Sequence, residues 1–226
     1  NNERVAFVYD TRAAEFTGLV GNTTETRKKK GEKYLPESSW WRKPYMASFR
    51  TGSFDFILLN THLLTTHIRW GQSERSRAGE LDLLARYVER RVKSASAVDK
   101  DLIVMGGFNI PSLRSELFRK ITQFGLRMPK ALAGDLGTNL KTNKRYDQIL
   151  HNPVFTKTFT EKGGVLDFFG EKWGKLYPEA TSDDDEDFTY ELSDHQPLWI
   201  QIQTDISEEI LEQKLNPPSV KDKRER

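Results

Sequence analysis

Residues Leu102–Asn109, with the sequence LIVMGGFN, contain a fully apolar run that ends in small and polar residues. Four successive apolar residues are typical of a strand that is buried on both faces, because polar positions do not alternate with them. The two glycines and Asn109 that follow indicate that the strand ends there and passes into a turn. This stretch therefore predicts a central strand whose carboxyl end carries polar groups.

Further strands and helices are predicted on both sides of this central strand. Helical spacing of apolar residues predicts helices at 74–92, 112–124 and 206–215. Short apolar, β-prone runs predict strands at 5–9, 44–50, 54–60, 146–150 and 197–202. Because strands and helices alternate loosely and several strands are adjacent, we expect an α/β (α+β) fold with helices outside a mixed sheet.

The length of 226 residues is sufficient for one domain with a stable core. We expect this domain at 1–204, followed by a helix and a disordered basic tail at 205–226. Residues 11–33 predict a mobile loop whose basic cluster at 27–31 is either solvated or in contact with phosphate. The acidic run at 183–187 lacks EF-hand spacing and predicts a solvated loop rather than a calcium site.

Charge, cysteine content and hydropathy limit the classes of function. The chain has 35 basic and 33 acidic residues and a net charge of +2, which does not argue for a strong global attraction to nucleic acid but leaves local basic patches open. It has no cysteine, which excludes disulfides and thiolate metal sites. This composition favours a reducing, cytoplasmic compartment and is also compatible with secretion. No apolar run approaches the roughly 18 residues that a membrane span requires.

Four separated segments place small clusters of polar residues at the ends of predicted strands. Each cluster alone is weak evidence, because a histidine after a strand is often only a structural residue. Their common placement favours one shared site, since side chains at strand ends can converge on one edge of a sheet. The clusters are Asn60-Thr61-His62-Leu63, Gly106-Gly107-Phe108-Asn109, Arg145-Tyr146-Asp147-Gln148-Ile149 and Ser193-Asp194-His195-Gln196-Pro197.

Taken together, these clusters resemble motifs of the endonuclease/exonuclease/phosphatase superfamily, which includes pancreatic-type deoxyribonucleases, abasic-site endonucleases, sphingomyelinases and inositol-phosphate phosphatases. Residues 193–197 are similar to its Ser-Asp-His-x-Pro signature, and 146–149 to its Tyr-Asp-x-Ile segment. Residues 60–62 resemble the Asn-x-His form of the deoxyribonuclease and sphingomyelinase branches, and 42–44 resemble their Arg-x-Pro lead-in to a strand. The likeness extends over nearly the whole chain.

The resemblance implies a DNase I-like fold of two packed mixed β-sheets flanked by helices, with the site at one end of the sandwich. It also implies hydrolysis of DNA or another phosphodiester by an activated water, assisted by Mg²⁺ or Mn²⁺. In this scheme His195 would take a proton from water or stabilise the pentacovalent phosphate. Asp147 would hold the imidazole in the useful tautomer. Asp194 offers the oxygen ligation that Mg²⁺ prefers.

The remaining groups would surround the substrate phosphate. Asn109 would donate to a non-bridging oxygen, with a turn residue that caps the next helix as the alternative. His62 and Arg42 would supply positive donors. The neighbouring pair Trp40-Trp41 either stacks on a base, which would favour nucleic acid, or packs beneath the loop.

Two departures from the superfamily pattern predict an impaired enzyme. Gly107 stands where the Gly-Asp-Phe-Asn motif has an acidic residue, and loss of one proton-transfer group costs about 10²–10⁴ in rate. The strands that normally open the fold, one of which carries a metal-binding Glu, have no counterpart before Val5, and Glu15, Glu25 and Glu32 fit that role badly. We therefore expect weak or absent metal binding and a fold that lacks its first strands. The open sheet edges would be completed by an upstream segment, a second chain or a swapped copy.

The leading hypothesis is a metal-dependent phosphodiester hydrolase, a nuclease of the DNase I-like kind, that is inactive or impaired as written. Two alternatives stay open. One is a binding or scaffold module that keeps the fold without the chemistry, and the other is a phosphatase or sphingomyelinase-type phosphodiesterase. An unrelated α/β hydrolase is disfavoured, because the chain has neither a Gly-x-Ser-x-Gly elbow nor a cysteine.

Overall fold

The computed structural model describes residues 4–23, 29–30, 33–34, 40–65, 68–70, 73–134, 136–168, 189 and 192–216. The acidic loop predicted at 183–187 and the part of the basic tail at 217–226 lie outside the described residues. Of the basic cluster at 27–31, only residues 29 and 30 are described.

The described chain contains more residues in strands than in helices, and the helices lie between and after the strands. The helices are α1 (Arg77–Lys93), α2 (Glu116–Thr122) and α3 (Ser207–Leu215), and a 3₁₀ turn spans Lys130–Leu132. The strands are β1 (Glu15–Asn22), β2 (Lys29–Lys30), β3 (Lys33–Tyr34), β4 (Tyr45–Thr51), β5 (Phe54–His62), β6 (Ile68–Trp70), β7 (Ser73–Arg75), β8 (Leu102–Gly107), β9 (Asp147–His151), β10 (Phe159–Val165) and β11 (Leu198–Ile202).

The main sheet has five strands in the order β1-β4-β5-β8-β9. Only β5 and β8 are parallel, and a parallel pair needs a crossover, which α1 provides. The apolar stripe of α1 is buried on one face of the sheet, where Leu81, Leu84 and Val88 join Leu59 and Val104 in one core cluster. Full burial of each such side chain contributes about 2 kcal/mol to the stability of the fold, which keeps the helix packed on this face of the sheet.

A second, two-stranded sheet of β10 and β11 lies over the other face. Ala47, Phe49, Ile103 and Ile149 of the main sheet form a second core cluster there, and Ile200 of β11 packs against it. The expected architecture of two packed sheets flanked by helices is therefore confirmed. No helix among the described residues combines the length and the apolar character needed to cross a membrane.

Two predicted elements near the start of the chain are corrected, and one further strand was not predicted. The segment 5–9 is not a strand, because Phe7 packs on the ring of Phe49 while Val8 is 98% exposed and no ladder forms. The polar stretch predicted as a loop contains the edge strand β1, which pairs with β4 although most of its side chains are exposed. Strand β10 was not predicted, because its glycines interrupt the pattern of a strand. A Cβ at Gly163 would lie 2.8 Å from Cδ1 of Ile200, so the glycine permits β10 and the Ile200 side chain to approach closely.

Candidate active site

The register of the main sheet places three of the predicted positions side by side. His62 pairs with Gly107 across β5 and β8, and Gly107 pairs with Asp147 across β8 and β9. Neighbouring strands in a sheet lie about 4.8 Å apart, so these positions form one row across the edge of the sheet. Polar clusters that are distant in sequence therefore meet at this edge.

His195 joins this row from the segment that precedes β11. Its Nδ1 donates to Oδ2 of Asp147 at 2.6 Å, and its Nε2 lies 3.9 Å from Oδ2 of Asp194. The ring of Tyr146 stacks on the imidazole, with 5.7 Å between centroids. Since Nδ1 is engaged by Asp147, Nε2 is the nitrogen that can exchange a proton with a substrate or a water.

Thr138, which is fully buried, aligns the two partners of this pair. Its hydroxyl accepts from the backbone N–H of Asp147 at 3.1 Å, and its carbonyl accepts from the N–H of Gln196 at 2.6 Å. One residue thus fixes the backbone on both sides of the Asp147–His195 contact. The hydrogen bond with Asp147 is the largest influence on the imidazole and raises the pKa of His195 above its ordinary value, against the opposing effect of burial.

Gly107 and Gly106 are adjacent but serve different purposes. Gly106 has φ of 122°, and a Cβ there would overlap the carbonyl oxygen of Thr61, so the backbone requires glycine. Gly107 has no such requirement. A Cβ at Gly107 would lie 3.2 Å from Cδ2 of His62 and 3.8 Å from Oδ1 of Asp147, so a side chain there would enter the row of site residues.

Asn109 lies next to the row, buried and in the left-handed region with φ of 54°. Its side-chain Nδ2 donates to the carbonyl of Leu63 at 2.7 Å, and its backbone N–H donates to the carbonyl of Tyr146 at 3.0 Å. One hydrogen of the amide is therefore used to hold the loop after His62. It does not cap α2, whose N-cap hydroxyl belongs to Ser115.

Arg42 is half-buried in the segment that leads into β4. Because Tyr45 at the start of β4 pairs with Asn60 near the end of β5, this segment reaches the same edge of the sheet as His62. The preceding Trp40 is 5% exposed and belongs to the core cluster under α1, which favours the packing interpretation over stacking on a base for this residue.

Two charged residues at the start of α1 contact the site loops and were missed in the sequence. Arg77 donates from Nη1 to the carbonyl of Asn109, and Glu80 accepts from the backbone N–H groups of Trp41 and Leu64. A signal was present, because Glu80 lies four residues before Leu84 on the apolar stripe of the helix, where a charge is unexpected.

The described donors do not make a complete metal site. Among the residues that the structure describes, no group of three or more His, Cys, Asp or Glu side chains could hold an ion. Asp194 has a largely exposed carboxylate, and Asp147 is bonded to His195. Asp194 therefore offers one exposed carboxylate at this edge, and Mg²⁺ is usually held by one or two carboxylates together with waters and substrate phosphates.

The comparisons with known proteins support the fold. No family model matches the chain, and no curated protein matches it. Among solved structures, a conserved protein of unknown function from Enterococcus faecalis has a TM-score of 0.54 at 16% identity, covering 86% of this chain and 69% of its own. An endonuclease/exonuclease/phosphatase from Bacteroides vulgatus has a TM-score of 0.52 at 16% identity, with the same coverage of 86% and 69%.

The chain therefore has the fold of the endonuclease/exonuclease/phosphatase proteins, and the resemblance inferred from its motifs is confirmed at the level of the fold. At 16% identity this likeness does not extend to the chemistry. The roles of the individual side chains have to be argued from the site itself.

Proposed function

We propose that the edge formed by His62, Gly107, Asp147 and His195 is the site of a metal-dependent phosphodiesterase, with nucleic acid as the leading substrate class, and that this chain is impaired in that activity. The observation that carries the proposal is the 2.6 Å contact between His195 and Asp147, in the same row as His62 and the open position at Gly107. Such a pair is suited to move a proton at Nε2 next to a bound phosphate.

The chain's own residues would act on substrate as follows. Asp147 holds His195 with Nε2 directed away from it, so that Nε2 can accept a proton from an attacking water. His62 and Arg42 supply positive donors to the phosphate oxygens, and the second amide hydrogen of Asn109 is suited to a further oxygen. The planar guanidinium of Arg42 can donate hydrogen bonds to two oxygens of one phosphate.

The impairment has a local cause at Gly107. A carboxylate at this position would lie beside His62 and Asp147, where it could orient a water or transfer a proton, and glycine has no group that does either. Losing one such group typically costs about 10²–10⁴ in rate. We therefore expect residual rather than full activity from the chain.

We propose Mg²⁺ or Mn²⁺ as the cofactor, bound weakly by Asp194. A divalent ion would supply charge that neutralises the phosphate and activates water. The described donors do not complete a site for this ion. We expect millimolar rather than micromolar Mg²⁺ to be needed for any effect.

A binding or scaffold module of the same fold is the second candidate. The glycine at position 107 and the incomplete set of metal donors among the described residues favour it, since both remove chemistry while keeping the positive donors. Such a module would bind a phosphate-bearing partner equally well in EDTA. A phosphatase or sphingomyelinase-type phosphodiesterase shares the site chemistry of the first candidate and differs in the substrate.

We also propose that strands from a second copy of the chain extend the small sheet. Among the described residues β11 pairs only with β10, and Trp199 on it is 46% exposed. An unpaired strand edge with an exposed aromatic side chain favours pairing with another chain. Light scattering after gel filtration should give the mass of a dimer or larger species, and a monomer at all concentrations would reject this part.

The test of the proposed activity is Mg²⁺-dependent hydrolysis of bis-p-nitrophenyl phosphate and DNA by the chain and by Gly107→Asp. The aspartate should raise the rate by about 10², the lower end of the range for one proton-transfer group. The new Cβ is tight against His62, whose ring has to move by only a few tenths of an ångström.

Gly107→Asn is the matched control, because it has the same size and no carboxylate. It should leave the rate at the level of the unchanged chain. Equal rates for Gly107→Asp and Gly107→Asn would reject the catalytic assignment and leave the binding module.

A further inference from the structure

Glu80, in the first turn of α1, is a carboxylate buried in the protein. It is 2% exposed, and it accepts from the backbone N–H of Trp41 at 2.6 Å and from that of Leu64 at 2.9 Å. These two peptides belong to different segments, 39 and 16 residues away from Glu80 in the chain. One side chain therefore joins the segment that precedes β4 to the segment that follows β5.

Both loops carry residues of the proposed site. Trp41 directly precedes Arg42, and Leu64 follows His62 by two residues. Consecutive Cα atoms are 3.8 Å apart, so fixing one peptide limits how far its neighbours can move. The carboxylate of Glu80 thus restricts the backbone of Arg42 and of His62 together.

The same helical turn also holds the third site loop. Arg77, three residues before Glu80, donates from Nη1 to the carbonyl of Asn109. The amide of Asn109 in turn donates to the carbonyl of Leu63, the residue after His62. The first turn of α1 is therefore connected to all three segments that carry Arg42, His62 and Asn109.

A carboxylate at this position has a cost that calls for a reason. Burial of a charged group is strongly unfavourable unless it is fully hydrogen-bonded, and the rest of the stripe, with Leu81 and Leu84, shows that apolar residues fit the helix face. Bonds from backbone N–H groups to a carboxylate are short and strong, and the amino end of the helix adds favourable charge. The two hydrogen bonds stabilise the buried carboxylate only while both loops keep their positions.

We propose that Glu80 is a positioning residue of the phosphoester site, which sets the Arg42 and His62 loops relative to each other through its two backbone hydrogen bonds. This inference rests on the proposed function for its catalytic consequence, but its structural part can be tested without any activity.

The structural test measures amide hydrogen exchange at Trp41 and Leu64 by NMR in the full chain, in Glu80→Gln and in Glu80→Ala. Loss of a hydrogen bond to a charged group should speed exchange by about 10- to 100-fold at these two amides in Glu80→Ala. Glu80→Gln keeps one acceptor oxygen and should give an intermediate effect. Amides of β8, measured in the same spectra, report whether the variant is still folded.

Glu89→Gln is the matched control on the same helix. Its carboxylate pairs with Lys93 at 2.8 Å, and Glu89 lies about 14 Å along the helix from Glu80. It should leave exchange at Trp41 and Leu64 unchanged. If Glu80→Ala unfolds the chain, the Glu80→Gln data decide the question, because one acceptor remains to support the fold.

The functional test measures hydrolysis of bis-p-nitrophenyl phosphate by Glu80→Gln and Glu80→Ala, each made in the Gly107→Asp background. Misplacing the two loops should lower kcat by about 10² and raise KM, since Arg42 and His62 both contact the phosphate in the proposal. A purely structural role would lower kcat only in proportion to the unfolded fraction and leave KM unchanged. The acid limb of the pH profile should keep its midpoint, because the His195–Asp147 pair is not altered.

The outcomes separate the two proposals. If no variant hydrolyses the substrate, the proposed function fails, and the exchange data still decide whether Glu80 holds the loops. If Glu80→Gln and Glu80→Ala leave the exchange of both amides unchanged, the positioning role is overturned. Faster exchange at both amides with unchanged kcat and KM in an active background would also overturn it.

Discussion

The two ends of strand β8 both carry ionisable groups with shifted pKa values, for different physical reasons. At the carboxyl end, beside Gly107, the pKa of His195 is raised chiefly by its hydrogen bond with Asp147. At the amino end, the pKa of Asp101 is raised to about 6, chiefly by burial and next by the neighbouring carboxylate of Asp99. A strand of this length separates the two ends by about 20 Å.

The difference shows that a shifted pKa alone does not identify a functional site. The site end combines the hydrogen-bonded pair of His195 and Asp147 with a third row member in His62. The other end gathers carboxylates, with Asp55 among those that raise the pKa of Asp101. Convergence of an imidazole and a carboxylate favours proton transfer at the site end, whereas burial beside like charges disfavours the charged form of Asp101 at the other end.

The largest expected effect is on catalysis at the site end. In the Gly107→Asp background, His195→Ala should lower kcat/KM for bis-p-nitrophenyl phosphate by about 10²–10⁴, because it removes the group that exchanges the proton. Asp101→Asn at the other end is the control and should leave the rate unchanged. A loss of the same size in both variants would mean that the rates follow folding rather than a site.

A smaller effect separates the two glycines at the site end. Gly106→Ala should lower the free energy of unfolding by about 3 kcal/mol, because it combines a strained φ with a clash against Thr61. Gly107→Ala should lower it by less than about 1 kcal/mol. Urea denaturation of both variants measures the difference, and similar losses would show that glycine at 107 is also a requirement of the backbone.

The smallest effect is a gain of stability at the amino end of β8. Because the folded state raises the pKa of Asp101 to about 6, stability is fully present below the unfolded pKa near 4 and is lost as the pH rises through 6. Asp101→Asn should therefore raise the free energy of unfolding by about 1 kcal/mol above pH 7, after allowance for partial exposure to solvent. Below about pH 4 the variant should show no gain. Equal gains at pH 3 and pH 8 would contradict burial of the charge as the cause.

The central part of the fold could be predicted because its strand and helix have sequence patterns that are visible within short stretches of the chain. The run at the start of β8 is apolar at every position, and the helix over Arg77–Lys93 repeats apolar residues on one face. Polar clusters at strand ends then predicted which residues meet. The register of β5, β8 and β9 brings His62, Gly107 and Asp147 into one row, and His195 bonds to Asp147.

The remainder depended on contacts that no local pattern shows. Strand β1 is an edge strand that is held by its ladder with β4 rather than by burial, so its sequence looks like a loop. The apolar residues before it predicted a strand, but Phe7 packs on Phe49 without pairing. The carboxylate of Glu80 accepts hydrogen bonds from two backbone N–H groups in other loops, and only the tertiary fold brings these groups together.

The most direct test of a single phosphate-sized site is a titration of the unchanged chain with inorganic phosphate, followed by NMR of the histidine side chains. We predict that the imidazole signals of His62 and His195 shift together and saturate with the same Kd. His151, which is buried in β9 and bonded to the carbonyl of Thr156, should not respond and serves as the internal reference. Separate dissociation constants for His62 and His195, or no response from either, would contradict the claim that these groups surround one phosphate.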